Sequence, residues 1–287
     1  MGSLESARSI VDCLRALEQA SSGLATETIV VDSSSDHTAS IVRNEFPGVS
    51  FRAMPPGTLT PMLWAEGIRM ARGRYVGLTT GHCVVPSEWI SALTGALRGS
   101  VVGAGGPLAL LTKASRLDAA IYFLRYSAFM PSRSDAVSIV HEIAGDNAMY
   151  SGDALRRHES TFAGGFWEPE FHKLLRAEGG QLAIVPRASA AFGRSFPLGV
   201  ISRHRFSHGK RFGSWRVASA QMSAARVILA APVVPFVLLV RIAARVMRNL
   251  SARRDFLGAS PIVLWLAACW AAGEAVGAFE ARRANRS

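Results

Sequence analysis

Between Glu27 and Ala104 the chain alternates short β-branched or apolar runs with amphipathic stretches, and few architectures accept that order. Glu27-Thr28-Ile29-Val30-Val31-Asp32 is long enough for a buried strand and too short for a helix. It stops at Asp32, where Ser33, Ser34, Ser35 and Asp36 supply turn chemistry and a helix N-cap. Ile41, Val42 and Phe46 give the following helix its apolar side. A strand over residues 49–53, a proline-rich loop and a helix over residues 62–72 come next, with Gly73 in the place of a helix C-cap. A third strand, residues 75–79, runs into Thr80-Gly81-His82-Cys83. Pro86 and Ser87 then open a helix through Leu97, and residues 101–104 make a fourth strand. The alternation predicts an α/β fold with a mostly parallel sheet flanked by helices. Ligands of such sheets sit beyond the carboxyl ends of the strands, where Asp32, Ser34, Thr80 and His82 fall.

The same residues carry a resemblance. Val30-Val31-Asp32-Ser33-Ser34-Ser35-Asp36-His37-Thr38 resembles the VVD-x-x-S-x-x-T segment of family 2 glycosyltransferases, which have the Rossmann-like GT-A fold. Gly67-Ile68 followed by Ala71, Gly73, Tyr75 and Val76 resembles their next segment, and Pro86 with Trp89 resembles the proline and tryptophan after their metal motif. Gly145-Asp146-Asn147-Ala148-Met149-Tyr150 is similar to a strand near the acceptor, and Trp167-Glu168 with Leu174, Leu175 and Gly179 to the acidic helix that donates the catalytic base. The similarity runs from about residue 7 to residue 215, which makes residues 1–215 the expected catalytic domain and 216–287 a membrane-associated helical region.

Two departures stand out. Members of that family begin with an apolar strand before the first helix. Here a helix with Ile10, Val11, Leu14 and Leu17 on one face starts almost at once, so the expectation is that this strand, whose end contacts the nucleoside, is missing. The family also places an acidic pair after the third strand, whereas this chain reads Thr80-Gly81-His82. Mg²⁺ and Mn²⁺ prefer charged oxygen ligands. No protein metal site is therefore assigned, and support for Mg²⁺ or Mn²⁺ as a cofactor is weak.

Three scattered cysteines exclude a disulfide framework, and no charged segment followed by an apolar core opens the chain. From Arg187 onward there are sixteen Arg or Lys against three acids, Asp255, Glu274 and Glu280. These cations flank apolar stretches rather than interleaving with aromatics, which suits an anionic membrane surface and not nucleic acid. Val227 to Val240 is uncharged for fourteen residues, and Leu257 to Gly273 for seventeen. The first is short of the roughly 20 residues a spanning helix needs. Arg241, Arg245, Arg248, Arg253 and Arg254 lie between them, so an apolar helical hairpin dipping into the cytoplasmic leaflet keeps every arginine inside.

The resemblance implies roles residue by residue. Glu168 is the expected general base, taking the acceptor hydroxyl proton as that hydroxyl attacks the anomeric carbon. Glu170 is its alternative, although two residues along a helix it faces elsewhere. Asp32, Ser34, Thr80 and His82 are the expected donor-binding residues. Asp146 and Asn147, read as the end of a strand, and Arg203, Arg205 and His208 are the expected acceptor-binding residues. Each has a plainer reading: a turn aspartate, a surface glutamate, a headgroup-binding cationic segment. The expectation is an inverting glycosyltransferase at the cytoplasmic face of the cell membrane. It would move sugar from a nucleotide sugar to a lipid-linked or cell-envelope glycan. The second reading is a non-catalytic domain of the same fold that binds nucleotide sugar or a partner at the membrane.

Overall fold

Buried along its whole length, Ile29–Asp32 organises the first sheet. The structure, a computed structural model, describes residues 1–284 other than 113, 133, 194, 195 and 220. In chain order its strands begin with β1 (Gly2–Ser3), β2 (Ile29–Asp32), β3 (Ser50–Ala53), β4 (Tyr75–Thr79), β5 (Cys83–Val84) and β6 (Val101–Gly105). They continue with β7 (Leu108–Leu110), β8 (Ser138–Val140), β9 (Asn147–Ser151), β10 (Gln181–Ile184) and β11 (Ala190–Phe192). The first helices are α1 (Ile10–Ala20), α2 (Thr38–Glu45), α3 (Thr60–Met70), α4 (Trp89–Ala96), α5 (Arg116–Tyr126) and α6 (Gly152–Arg157). The remainder are α7 (Glu168–Ala177), α8 (Leu198–Ala218), α9 (Ala224–Ala230), α10 (Val234–Val246) and α11 (Arg253–Ala284).

β1 and β3 flank β2, both parallel to it. This corrects the expectation of a missing first strand, since its carboxyl end is in place. Gly2 lies opposite Val31 and Ser3 opposite Asp32, and a parallel bridge from Gly2 to Thr80 ties β1 to β4. Two residues are too few to leave a period in the sequence, so the pattern could not reveal them. β4 then opens a five-stranded sheet of order β4-β9-β6-β10-β8. Within it β10 runs parallel to β6, while β9 is antiparallel to both neighbours. β5, β11 and β7 form a small third sheet. The α/β class, the parallel β1–β3 sheet and the flanking helices follow the alternation, whereas in the five-stranded sheet β6 and β10 alone pair parallel. Gly73 does not cap α3, which closes on Ala71 in extended conformation.

An aromatic core holds the site end of this unit. Trp64 of α3, Tyr150 of β9 and Phe162, Phe166 and Phe171 are buried against one another, with Tyr150 and Phe166 centroids 5.7 Å apart. Each such side chain contributes about 1.5–3 kcal/mol by leaving water.

The chain divides into two compact units, Met1–Thr112 with Phe129–Arg194, and Lys113–Ala128 with Ser195–Ser287. The division differs from the boundary expected at residue 215, because α8 is one helix of 21 residues that runs through that position. α5 also belongs with the C-terminal helices.

Within the second unit α8 and α11 touch backbone to backbone. A Cβ on Gly213 would meet the Glu274 carbonyl oxygen at 2.1 Å, and one on Gly277 would meet that of Lys210 at 1.8 Å. The Ser214 hydroxyl donates to the Gly277 carbonyl at 3.0 Å, and Arg216 pairs with buried Glu274 at 2.5 Å. The first apolar stretch is broken: α9 and α10 bend by 67° where Pro232 interrupts them. The second is continuous, and residues 250–284 are long and apolar enough to cross a membrane.

Candidate active site

Direction decides what meets at the carboxyl edge of β4. Because β9 is antiparallel to β4, its first residue, Asn147, lies opposite Thr79. Asp146 and Asn147 therefore begin a strand rather than ending one, and that start lands where parallel strands finish. The Thr80 hydroxyl donates to Asp146 Oδ1 at 3.3 Å, with Asp146 5% exposed.

Glu168 reaches the same loop from the first turn of α7. Its Oε1 accepts the Gly145 N–H at 3.3 Å. Position 145 has to be glycine, since a Cβ there would stand 2.7 Å from that oxygen and 2.8 Å from the Trp64 ring. Glu170 is exposed. The structure thus brings Glu168, Asp146 and Thr80 to one loop cluster and turns Glu170 to solvent.

Asp32 closes β2, 3% exposed. Its Oδ1 accepts the Ser34 hydroxyl at 2.6 Å and its Oδ2 the Ser34 N–H at 3.3 Å. Burial raises its pKa against the opposing effect of the Ser34 hydrogen bonds. Ser34 Oγ in turn accepts the Glu5 N–H at 2.7 Å, so the β2 turn and the segment after β1 form one ridge. Asp36 accepts the Thr38 N–H at 2.9 Å just before α2.

Two expected ligands are already occupied. His82 is 3% exposed, and its ring lies against the loop after β1: Nε2 is 2.9 Å from the Leu4 carbonyl oxygen and Nδ1 is 3.3 Å from Ser9 Oγ. Asn147 is fully buried, with its amide donating to the Pro107 and Ala188 carbonyls at 2.9 and 2.8 Å. Its Oδ1 accepts from Trp89 Nε1 at 2.6 Å. Both side chains fasten loops of the site.

Arg203, Arg205 and His208 lie on α8 in the second unit. Arg203 is exposed. Burial, with Arg125 nearby, brings the Arg205 guanidinium down to about 10. Burial, then Arg205, Arg125 and Arg211, push the His208 imidazole down to about 4. His208 is therefore neutral at pH 7 in the protein by itself.

Among the described residues no three of His, Cys, Asp and Glu converge on one point, and His82 is turned into the fold. Asp146, with the Thr80 hydroxyl, is the charged oxygen donor at this edge. A cavity of about 650 Å³ opens elsewhere, lined by the start of β2 and the whole of β4 with Trp64 and Trp89, and includes neither Asp32, Thr80 nor Asp146.

Sequence patterns passed over Glu142, Tyr150 and His172, which join across 22 and 30 positions through hydrogen bonds that no local period encodes.

A parallel β1–β3 sheet that ends at Asp32, with Thr80 and Asp146 at the edge of the adjoining mixed sheet and a helix-borne carboxylate on the same loop, has the layout of a GT-A fold. The model of glycosyl transferase family 2 matches residues 4–158, more than half of the chain, and the protein belongs to that family. It is a glycosyltransferase. No curated relative matches the sequence. Similar solved structures include the mannosyltransferase PcManGT from Pyrobaculum calidifontis with GDP-mannose and Mn²⁺, at 16% identity over 100% of this chain and 75% of that one, TM-score 0.46. A mycobacterial protein is 16% identical over 71% and 70% of the two chains, TM-score 0.47. GalNAc-T7 with UDP, GalNAc and Mn²⁺ is 12% identical over 68% and 43%, TM-score 0.47. The family assignment rests on the family model and not on these likenesses.

Proposed function

We propose that the protein transfers sugar with inversion to a hydroxyl of a lipid-linked or cell-envelope glycan, at the cytoplasmic face of a membrane, with Glu168 as the general base. The observation that carries this reading is the Glu168 carboxylate on the Gly145 amide, one residue from Asp146, at the edge where the donor of such a sheet binds. In the reaction Glu168 takes the acceptor hydroxyl proton as the oxygen bonds to the anomeric carbon. The bond from that carbon to the diphosphate breaks on the opposite face, and the nucleoside diphosphate leaves. Asp32 and Ser34 bind the nucleoside end of the donor, and Asp146 and Thr80 orient sugar or diphosphate. α11, with the arginines around it, supports membrane association.

Glu168→Gln keeps an oxygen for the Gly145 amide and removes the carboxylate that accepts the proton. Its turnover should fall by about 10²–10⁴-fold with donor affinity unchanged. Glu170→Gln should change turnover by less than about threefold, because that side chain points to solvent. Single-turnover assays with nucleotide-sugar donors and membrane extract measure both. An active Glu168→Gln enzyme would move the base elsewhere.

A further inference from the structure

We propose that Tyr150, His172 and Glu142 form a positioning relay that holds the Glu168 carboxylate at the reacting edge. The inference rests on Glu168 being the base, and it concerns residues that do not touch substrate. His172 lies one turn after Glu168 on α7, so both point from one face of that helix. Its ring is wholly buried, and Nε2 is 2.8 Å from the Tyr150 hydroxyl. Nδ1 bonds to Glu142 Oε2. A carboxylate only accepts, so Nδ1 carries the proton and donates to Glu142. Nε2 is then bare and accepts from Tyr150. Burial, then Glu168 and Glu142, raise the Tyr150 pKa well above its ordinary value, so that hydroxyl keeps its proton and can donate.

Tyr150 and His172 are buried beside Phe162, Phe166 and Phe171, while Glu142, 39% exposed, forms the outer end of the chain. Glu142 also meets Arg176 at 3.4 Å, and Arg176 donates to the His141 carbonyl at 2.5 Å. The consequence is mechanical. α7 is fastened at two points to the loop over residues 141–146: by His172 and Arg176 at its start, and by Glu168 on Gly145 near its end. Tyr150 adds β9, which follows directly from that loop. Base, Asp146 and sheet edge are thereby held in one register. An aromatic core alone would allow α7 to slide, because dispersion contacts have no direction, whereas the hydrogen bonds do.

Tyr150→Phe removes one hydroxyl and keeps the packing. In the folded variant the turnover number should fall about tenfold, with donor KM unchanged, since misplacing a reacting group by about 1 Å costs up to about 10²-fold. His172→Gln should cost more. Because Glu168 is the target, Tyr150→Phe should add nothing to the loss in Glu168→Gln, so the double variant equals the single. Amide exchange at Gly145, read by NMR without substrate, should quicken in Tyr150→Phe while the central strand amides stay protected. A lower Tm with unchanged turnover and unchanged Gly145 exchange would overturn the relay and leave these residues as core. If Glu168→Gln is fully active the base assignment fails instead, and Gly145 exchange in Tyr150→Phe still decides whether the relay holds that loop.

Discussion

Asp32 sits where a carboxylate is costly for the fold. At 3% exposure its pKa is raised by burial, so the native state keeps its proton to higher pH than the unfolded chain does. The contribution to stability is therefore greatest below the ordinary carboxylate range and is lost as pH rises through the folded value. Asp32→Asn should raise Tm at pH 7 relative to wild type, with the gap closing at about pH 4, where the unfolded aspartate also protonates. The same variant should weaken nucleoside diphosphate binding about tenfold through loss of a charge-assisted hydrogen bond. Melting curves at the two pH values and a nucleotide titration check both halves. A more stable variant with undiminished affinity would leave Asp32 as a turn residue. Asp146 carries the second test at this scale. With Thr80-Gly81-His82 in place of an acidic pair after β4, Mg²⁺ should change nucleoside diphosphate affinity by less than about tenfold. A steeper dependence in calorimetry, abolished by Asp146→Asn, would make Asp146 a ligand of a nucleotide-bound ion. Asp32, Asp146 and Glu168 were all legible as residues at element ends. The commitments of His82 and Asn147 were not, since a partner 78 or 40 positions away leaves no mark on the local pattern.

The elements were legible to different degrees. β2 and β4 announced themselves because a short β-branched or apolar run between turn residues has few other outcomes. β1 escaped, two residues long and dependent on β2 and Thr80 for its existence. β9 was read backwards at its polar end. Side-chain period is the same in either strand direction, so alternation carries no information on whether Asp146 lies at the start or the end of pairing. The α8–α11 contact shows the converse case. Glycines four apart, Gly209 with Gly213 and Gly273 with Gly277, are visible in sequence, but their mutual approach needs the helices packed. Gly277→Val would put side-chain atoms into the Lys210 carbonyl and should destabilise the helical unit by about 1–3 kcal/mol or more. Tryptophan fluorescence from Trp215, Trp265 and Trp270 during denaturant unfolding would report it. A variant as stable as wild type would mean that the backbones do not approach as closely as the structure has them.

For the whole molecule the charge and hydropathy of the C-terminal region argue for a membrane. The described residues include one helix long and apolar enough to cross, and α9 and α10 bend too sharply to form a straight second span. Leu229, Phe236, Val240, Leu257 and Trp265 are exposed within the second unit. Extraction from membranes should accordingly require detergent, since salt at about 1 M screens charges beyond about 3 Å but leaves apolar burial intact. Complete release by salt alone would mean that these faces bind protein or pack elsewhere. Cysteine labelling in the linker over residues 247–253 tests orientation, with protection from an outside reagent expected if the arginines stay on the cytoplasmic side.

By itself the sequence determined the kind of element at each stretch, the α/β class, the family and the residues able to do acid–base chemistry. These follow from local chemistry: β-branching, turn formers, caps and apolar runs act within a few residues of themselves. Only the tertiary structure decided strand direction at Asn147, the presence of β1, the unit boundary within the chain, and which polar groups are already spent on the fold. Hydrogen bonds between residues 22 to 78 positions apart, and exclusion of water from His82, Asn147 and His172, arise only once the sheet and helices have met. That is why Glu168 could be named from its neighbours, while the chain of Tyr150, His172 and Glu142 behind it became visible only in the folded protein.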